Sequence, residues 1–415
     1  MAGGAEASGR QHASLPRSAA VPRVGVPFGV YIHVPFCASR CGYCAFNTYT
    51  SSQLGGDLRR AYVDAARAEI RAAAAFLAPH MPIVHTVFVG GGTPTELEAA
   101  DLCSIIAAVR FGFDVIDDVE ITVEANPDSA DRRMLDALRA GGVTRLSFGM
   151  QSIRTHVLAV LERSHTPGAA GEAVLNAHAA GFDHVSLDLI YGTPGETDDD
   201  WRASLVAALA AQPDHISAYA LTVEPSTRLA AQVRRGQVPE PDEDTLVRRY
   251  DIADEVLSSA GYAWYELSNW AREPAAQCRH NVGYWRNHDW WGIGPGAHSH
   301  VSGTRWYNVA HPAAYAAALA EGQLPVEGYE VVAPDAQRVE RALLGVRLAS
   351  GFAADFGREV LDELVADDLV TVLAEGILPV VQLSRRGRML ADLVARRVLD
   401  AGGATSDFFA SVTIS

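Results

Sequence analysis

The sequence predicts an α/β fold: a partial (β/α)6 barrel of TIM type, followed by a smaller α+β domain of winged-helix-like character. Three observations predict it. Six short apolar runs between residues 30 and 221 alternate with helical runs, the pattern of a parallel sheet wrapped by helices. Four of these runs deliver a polar residue toward their carboxyl ends, namely Glu124, Gln151, Asp188 and Thr222. Strand ends of that kind carry the active site in barrel-type α/β folds. Beyond Pro325 the alternation stops, and helices precede a short hairpin.

Taken in order, the first apolar run, 30–34, leads directly into a cysteine-rich loop. A helix is predicted over 57–77, then a strand over 84–89 that ends in Gly90-Gly91-Gly92-Thr93-Pro94. Glycines at a strand end let a ligand approach the backbone closely. This run is not Gly-x-Gly-x-x-Gly, so the dinucleotide fingerprint is not met. Further strands are predicted over 119–123, 145–150, 185–190 and 216–221, with helices over 97–110, 131–140, 171–180 and 199–210. In the last part, helices over 334–348 and 356–366 precede strands over 369–373 and 380–383, which turn about Gly376, and a final helix over 388–399. The expected organisation is a disordered extension over 1–25, a core barrel over 26–235, an aromatic- and histidine-rich segment over 236–325, the winged-helix-like domain over 326–402, and a tail over 403–415.

Composition narrows the function. With 48% hydrophobic and 20% charged residues, the 415-residue chain reads as a soluble globular protein. No apolar run approaches the ~18 residues that a membrane span needs. The Ala/Gly/Ser-rich start has no apolar h-region and is not a secretory signal. A net charge of −16 argues against non-specific nucleic-acid binding, which depends on phosphate neutralisation. All 34 basic residues are arginine, which excludes a Walker A lysine, a pyridoxal-phosphate aldimine and a Schiff-base aldolase. Five cysteines, an odd number, point to a reducing compartment and a cytoplasmic location.

Three of those cysteines, Cys37, Cys41 and Cys44, form a Cys-x3-Cys-x2-Cys run. Three thiolates in a tight loop can wrap one face of an iron–sulfur cube and leave one iron without a protein ligand. Such an open metal position is where chemistry occurs. The other readings are a zinc loop or a redox thiol pair, although zinc sites usually show a second Cys or His pair that this sequence lacks. Cys103, within an apolar helical run, reads as core.

Six of the seven tryptophans fall between Trp264 and Trp306, together with Tyr265, Tyr284 and the histidines His280, His288, His298 and His300. Within this zone His280-Asn281-Val282-Gly283-Tyr284-Trp285 forms a His-Asn-x-x-Tyr-Trp motif. A metalloporphyrin needs an axial imidazole or thiolate and flat apolar contact area. An aromatic core with structural histidines accounts for the same residues, and the residues alone leave both readings open. Cys278, two residues before His280, is a candidate second axial ligand.

The cysteine run, the Gly-Gly-Gly-Thr-Pro turn and the segments Val-Glu-Ala-Asn-Pro, Gly-Met-Gln-Ser and Leu-Asp-Leu-Ile-Tyr-Gly-Thr-Pro-Gly resemble those of the radical S-adenosylmethionine (SAM) superfamily. The resemblance is to its coproporphyrinogen-dehydrogenase-like branch, and it spans about residues 28–395. It implies a radical SAM barrel with a 4Fe–4S cluster on Cys37, Cys41 and Cys44 and with SAM on the open iron, where an electron from the cluster cleaves a C–S bond. It also implies SAM contacts at Tyr31, Tyr43, Gly91, Gly92, Thr93, Glu124, Gln151, Arg163 and Asp188.

Coproporphyrinogen dehydrogenases carry a fourth cysteine two residues after the third, where this chain has Phe46. The haem-chaperone branch, HemW, has phenylalanine there, and Cys44-Ala45-Phe46-Asn47 matches its Cys-x-Phe-Asn text. The His-Asn-x-x-Tyr-Trp motif typifies the same branch. That resemblance implies haem held at His280, with His280 on the iron and Tyr284 and Trp285 beside it. It further implies delivery to haem-accepting proteins, respiratory membrane enzymes among them, a one-electron reductant, homodimer formation, no nucleic-acid partner and at most peripheral membrane contact. Two other functions stay open. One is oxygen-independent oxidative decarboxylation of coproporphyrinogen III, from which Phe46 departs. The other is a zinc- or redox-switched winged-helix nucleic-acid binder using Arg385, Arg386, Arg388, Arg396 and Arg397, which the same arginines on a solvated helix face would mimic.

Overall fold

The computed structural model describes residues 14–50, 52–54, 58–166 and 168–402. The expected tail and the first thirteen residues of the expected extension lie outside the described residues. The six expected strands form as β1 (Phe28–Val34), β2 (Ile83–Gly91), β3 (Asp114–Ala125), β4 (Arg145–Gln151), β5 (His184–Tyr191) and β6 (His215–Ala220), each parallel to the next. The α-helices between them are Leu58–Leu77, Ala99–Gly112, Arg132–Ala140, Thr155–Val160, Ala169–Ala179 and Asp198–Ala210.

The two faces of this sheet differ in kind. Val87, Val89, Ile121, Val123, Leu146, Phe148, Val185, Leu187 and Ile216 are buried under the helices. The alternate residues point into the barrel, and the register aligns them in rows. Gly29, Thr86 and Glu120 share one row, and Tyr31, Phe88, Thr122, Arg145 and His184 the next. Gly149, Asp188 and Ser217 share another, nearer the carboxyl ends. Barrels of this type are usually filled by branched apolar side chains, whereas this interior is largely polar. Each strand therefore alternates like a half-exposed strand even though both of its faces are covered.

The sheet is larger than the sequence predicts. It continues with β7 (Ala263–Glu266), β8 (Asn269–Ala271), β9 (Asp289–Ile293), β10 (His298–Val301), β11 (Thr304–Asn308) and β12 (Val326–Val331). The twelve strands run β12-β11-β10-β9-β1-β2-β3-β4-β5-β6-β8-β7. β9 pairs in parallel with β1, so the parallel set has a seventh member. Strands from 263–331 thus cover both edges of one sheet, and the boundary expected at 235 does not divide two structural units. The expected disorder is also corrected for residues 14–25. Ala19 is fully buried, Ser18 Oγ lies 3.0 Å from Thr304 Oγ1, and Arg23 donates from its backbone N and from Nε to the Asp289 carboxylate.

At the C-terminus, helices Pro334–Gly345 and Arg358–Ala366 accompany an antiparallel sheet of β13 (Phe352–Ala353), β14 (Val370–Ala374) and β15 (Val380–Leu383), in the order β13-β15-β14. The expected last helix is two, Arg385–Met389 and Ala391–Asp400, interrupted at Leu390. Arg388 pins this part to the main sheet: its guanidinium lies 3.9 Å from the centre of the Trp264 ring and Nη1 donates to Asp254 at 2.7 Å.

Candidate functional site

The cysteine loop lies over the carboxyl ends of the strands, where backbone contacts hold it. Phe36–Cys37 pairs with Tyr49–Thr50, Gly92 N donates to Val34 O at 2.8 Å, Thr93 N to Phe36 O at 2.7 Å, and Gly42 N to Leu161 O at 3.0 Å. Gly92 is required because a Cβ there would collide with the Phe36 carbonyl, and Gly91 adopts φ 110°. Cys37, Cys41 and Cys44 are free thiols lining one cavity of about 390 Å³. The same cavity is lined by Tyr43, Gly91, Gly92, Thr93, Glu124, Gln151, Arg163, Asp188 and Thr222, so nearly all the residues expected around SAM come together. Tyr31 does not join them. Its hydroxyl lies 3.0 Å from His33 Nδ1, and its ring faces a second cavity. Thr48, Asn126, Ser147 and Tyr219, which were not among the expected contacts, line it as well. Strand alternation would have found Ser147, which lies on the inward face of β4 and donates to Asp188 at 3.0 Å.

The donors suit an iron–sulfur cluster. Arg163 Nη1 lies 3.8 Å from Cys41 Sγ, Nη2 donates to the Gly149 carbonyl at 3.2 Å, and its buried Nε has no partner among the described residues. Thr93 Oγ1 lies 3.9 Å from Cys37 Sγ. Burial pushes the Cys37 and Cys44 thiols up, so deprotonating them calls for a cation among them, which iron supplies. Among the described residues no three His, Cys, Asp or Glu side chains converge to hold a single metal ion. Three thiols lining one common cavity can take a multi-atom cluster.

The carboxylates suit a cationic ligand. Burial, then the nearby Asp188, pushes Glu124 up to about 8, although the Gly91 N–H donates to its Oε2 at 3.2 Å. Burial raises Asp188 too, against hydrogen bonds from Ser217 and Ser147. An ammonium or sulfonium group entering the cavity would favour the ionised form of both. Gln151, at the end of β4, is held at φ 62°, a strained conformation of the kind that clusters at ligand sites.

The His-Asn-x-x-Tyr-Trp motif folds as the helix Arg279–Trp285, set against the barrel interior toward the strands' amino ends. Glu120 of β3 accepts from Arg279 N and His280 N, both at 3.0 Å, and so caps the helix. Cys278 Sγ also reaches Glu120, at 3.7 Å. Arg145 Nη1 donates to Ala276 O at 2.7 Å, and Asn281 Nδ2 to Glu266 at 3.0 Å. His280 is buried, with Nδ1 2.8 Å from Thr86 Oγ1, Nε2 2.9 Å from Tyr284 Oη, and its ring stacked on Phe88. Burial pushes it down to about 3, so it is neutral. Trp285 packs beneath the Arg347 guanidinium and lines neither neighbouring cavity.

Tyr284 lines both of those cavities. One, of about 280 Å³, lies beside His280. The other, of about 780 Å³, is walled by Tyr31, Phe46, Tyr284, Trp290 and His298, and Phe46 also borders the cysteine cavity. His298 is lowered by burial, and its ring makes no hydrogen bond among the described residues.

The radical SAM superfamily model matches residues 31–207. Heme chaperone HemW of Mycobacterium tuberculosis (strain ATCC 25618 / H37Rv) is 50% identical over 382 residues, covering 91% of this chain and 96% of that protein. Heme chaperone HemW of Bacillus subtilis (strain 168) is 32% identical over 374 residues, covering 88% and 97%. The solved structure of coproporphyrinogen III oxidase (HemN) from Escherichia coli superposes with a TM-score of 0.76 over 92% of each chain at 23% identity, a likeness of fold. With the cysteine cavity, the barrel beneath it and likeness along almost the whole length, the chain belongs to the HemW family of the radical SAM superfamily.

Proposed function

We propose that this protein binds haem and hands it to acceptor proteins. In this reading Cys37, Cys41 and Cys44 carry a 4Fe–4S cluster, and SAM lies against Gly91, Gly92, Thr93, Glu124, Gln151, Arg163 and Asp188. The end-to-end likeness to proteins named heme chaperone HemW, aromatic segment included, carries the reading. Phe46 supports it, since it stands where coproporphyrinogen dehydrogenases place a further cysteine. So does the aromatic-walled cavity of about 780 Å³ beside the cysteine loop. The acceptors are respiratory membrane enzymes, reached from the cytoplasm by peripheral contact, and a one-electron donor reduces the cluster. No helix among the described residues is long and apolar enough to cross a membrane. The C-terminal sheet and helices act as a winged-helix-like packing or partner-binding module.

The test is anaerobic reconstitution, haemin titration, and mixing of the loaded protein with a haem-free acceptor. A Soret band that forms on the protein and passes to the acceptor is expected. Absence of haem binding overturns the reading. So does conversion of coproporphyrinogen III to protoporphyrinogen in the presence of SAM and reductant, which would make the protein an oxidative decarboxylase.

A further inference from the structure

We infer that the Thr48 hydroxyl donates to the ligating sulfurs of Cys37 and Cys44, and so raises the potential at which the cluster accepts its electron. Thr48 is no ligand itself; it acts through the two sulfurs as a positioning residue. The inference rests on the cluster reading above and gives a role to a cavity residue that the expected SAM contacts leave out.

A buried hydroxyl normally has a partner. Thr48 is 4% exposed and lines the cysteine cavity, yet its Oγ1 has no hydrogen-bond partner among the described residues. The residues on either side of it are anchored. The Asn47 carbonyl lies 2.9 Å from His33 Nε2, and Asn47 Nδ2 donates to the Pro295 and Ala310 carbonyls at 3.0 and 2.8 Å. On the other side Tyr49 N donates to Pro35 O at 2.7 Å, and Tyr49–Thr50 pairs with Phe36–Cys37. A buried side chain held between two such anchors has little further freedom to lose when its hydroxyl settles on an acceptor.

The acceptors at hand are sulfurs. The Thr48 hydroxyl lies beside both Cys37 and Cys44 and lowers each thiol, although burial, the larger effect, leaves both raised. The three sulfurs are thus attended by polar side chains from different parts of the chain. Arg163 Nη1 is 3.8 Å from Cys41 Sγ, Thr93 Oγ1 is 3.9 Å from Cys37 Sγ, and Thr48 stands between Cys37 and Cys44. Arg40, the cation near Cys44, donates to the Cys44 carbonyl at 3.3 Å and influences the sulfur by charge. Ligation removes the thiol protons, and a thiolate is the stronger acceptor, so a hydroxyl that no other group claims turns toward it. The one-electron donor adds one electron and hence one negative charge to the cluster. A hydrogen bond to a ligating sulfur favours that reduced form and raises the potential. Burial of the hydroxyl keeps water from taking its place.

The test is a redox titration of anaerobically reconstituted full-length protein, followed by electron paramagnetic resonance. It compares wild type with Thr48→Val, Thr48→Ala and Thr48→Ser, with iron and sulfide content and far-UV circular dichroism recorded for each. Valine keeps the shape of the side chain and removes the hydroxyl, whereas serine keeps the hydroxyl. Thr48→Val is expected to load iron as wild type does and to be reduced at a more negative potential. At a fixed potential its ratio of reduced to oxidised cluster should fall about tenfold, the order of one hydrogen bond to a charged group. Thr48→Ala should shift the same way, and Thr48→Ser should stay at the wild-type potential, a pattern that a merely structural role would not produce. If Thr48→Val does not fold, alanine against serine makes the same comparison. Wild-type potentials in the variants without the hydroxyl overturn the inference while leaving the cluster intact, as does a shift in Thr48→Ser equal to that in Thr48→Ala. A wild type that assembles no cluster defeats the cluster reading itself.

Discussion

Replacing Glu124 by glutamine tests whether the buried carboxylates are there for a cation. Burial and the Asp188 charge push Glu124 up to about 8 in the folded protein, whereas an unfolded chain would titrate it near ~4.3. Between those values the folded state holds a proton that the unfolded state has released, so the stability of the ligand-free protein falls as pH rises through that window. Glutamine has no such dependence. At ~1.4 kcal/mol for each pH unit climbed within that window, Glu124→Gln should be more stable than wild type at pH 8 by up to a few kcal/mol, with little difference near pH 4. Binding moves the other way. A cationic ligand favours the ionised form, so wild-type affinity for SAM should rise by up to about tenfold per pH unit and level off above pH 8. The amino group of SAM itself titrates near ~8, but equally in both proteins. The difference between the two curves therefore belongs to Glu124, with Asp188→Asn showing what its neighbour adds. Equilibrium SAM binding on reconstituted protein from pH 6 to 9, paired with denaturant unfolding of ligand-free protein, measures both effects. Parallel pH curves for wild type and Glu124→Gln would refute the reasoning.

Three further outcomes are expected. Glu120→Ala leaves the partly buried Arg279 N–H and the buried His280 N–H without their acceptor and should lose about 1–3 kcal/mol of stability by denaturant unfolding; a loss below about 0.5 kcal/mol would mean the motif helix is capped otherwise. Alanine at any one of Cys37, Cys41 or Cys44 should abolish cluster assembly by iron and sulfide analysis, whereas Cys103→Ala, half-buried and outside the cysteine cavity, should leave iron content unchanged. Arg163→Ala should lower iron incorporation by removing the cation beside Cys41; equal loading would show that the guanidinium is not needed there.

The sequence reading placed the parallel strands because each carries its own local signal, an apolar alternation closed by a polar residue. The cysteine cavity was legible for the same reason: most of its members sit on one short loop or at strand ends, and topology brings all strand ends to one face. The sheet edges were not legible. β9 is a five-residue Asp-Trp-Trp-Gly-Ile run whose partner, β1, lies far away in sequence, and no local pattern encodes that pairing. Residues 14–25 misled by their small and polar residues, since a few long-range contacts, chiefly Arg23 with Asp289, order the stretch. His280 shows a limit of another kind. Its residue type and aromatic neighbours are legible in the sequence, but its contact with Thr86 of β2, far away along the chain, is not.

The parallel pairing of β9 with β1 bears on how the chain is made. During synthesis the first strand emerges with β2 on one side, while its other neighbour is not yet translated until residue 293 has left the ribosome. Until then a row of backbone donors and acceptors on β1 stands open to any passing strand. A fragment ending near residue 235 would keep that open edge permanently, and should therefore self-associate instead of yielding a usable smaller version of the protein.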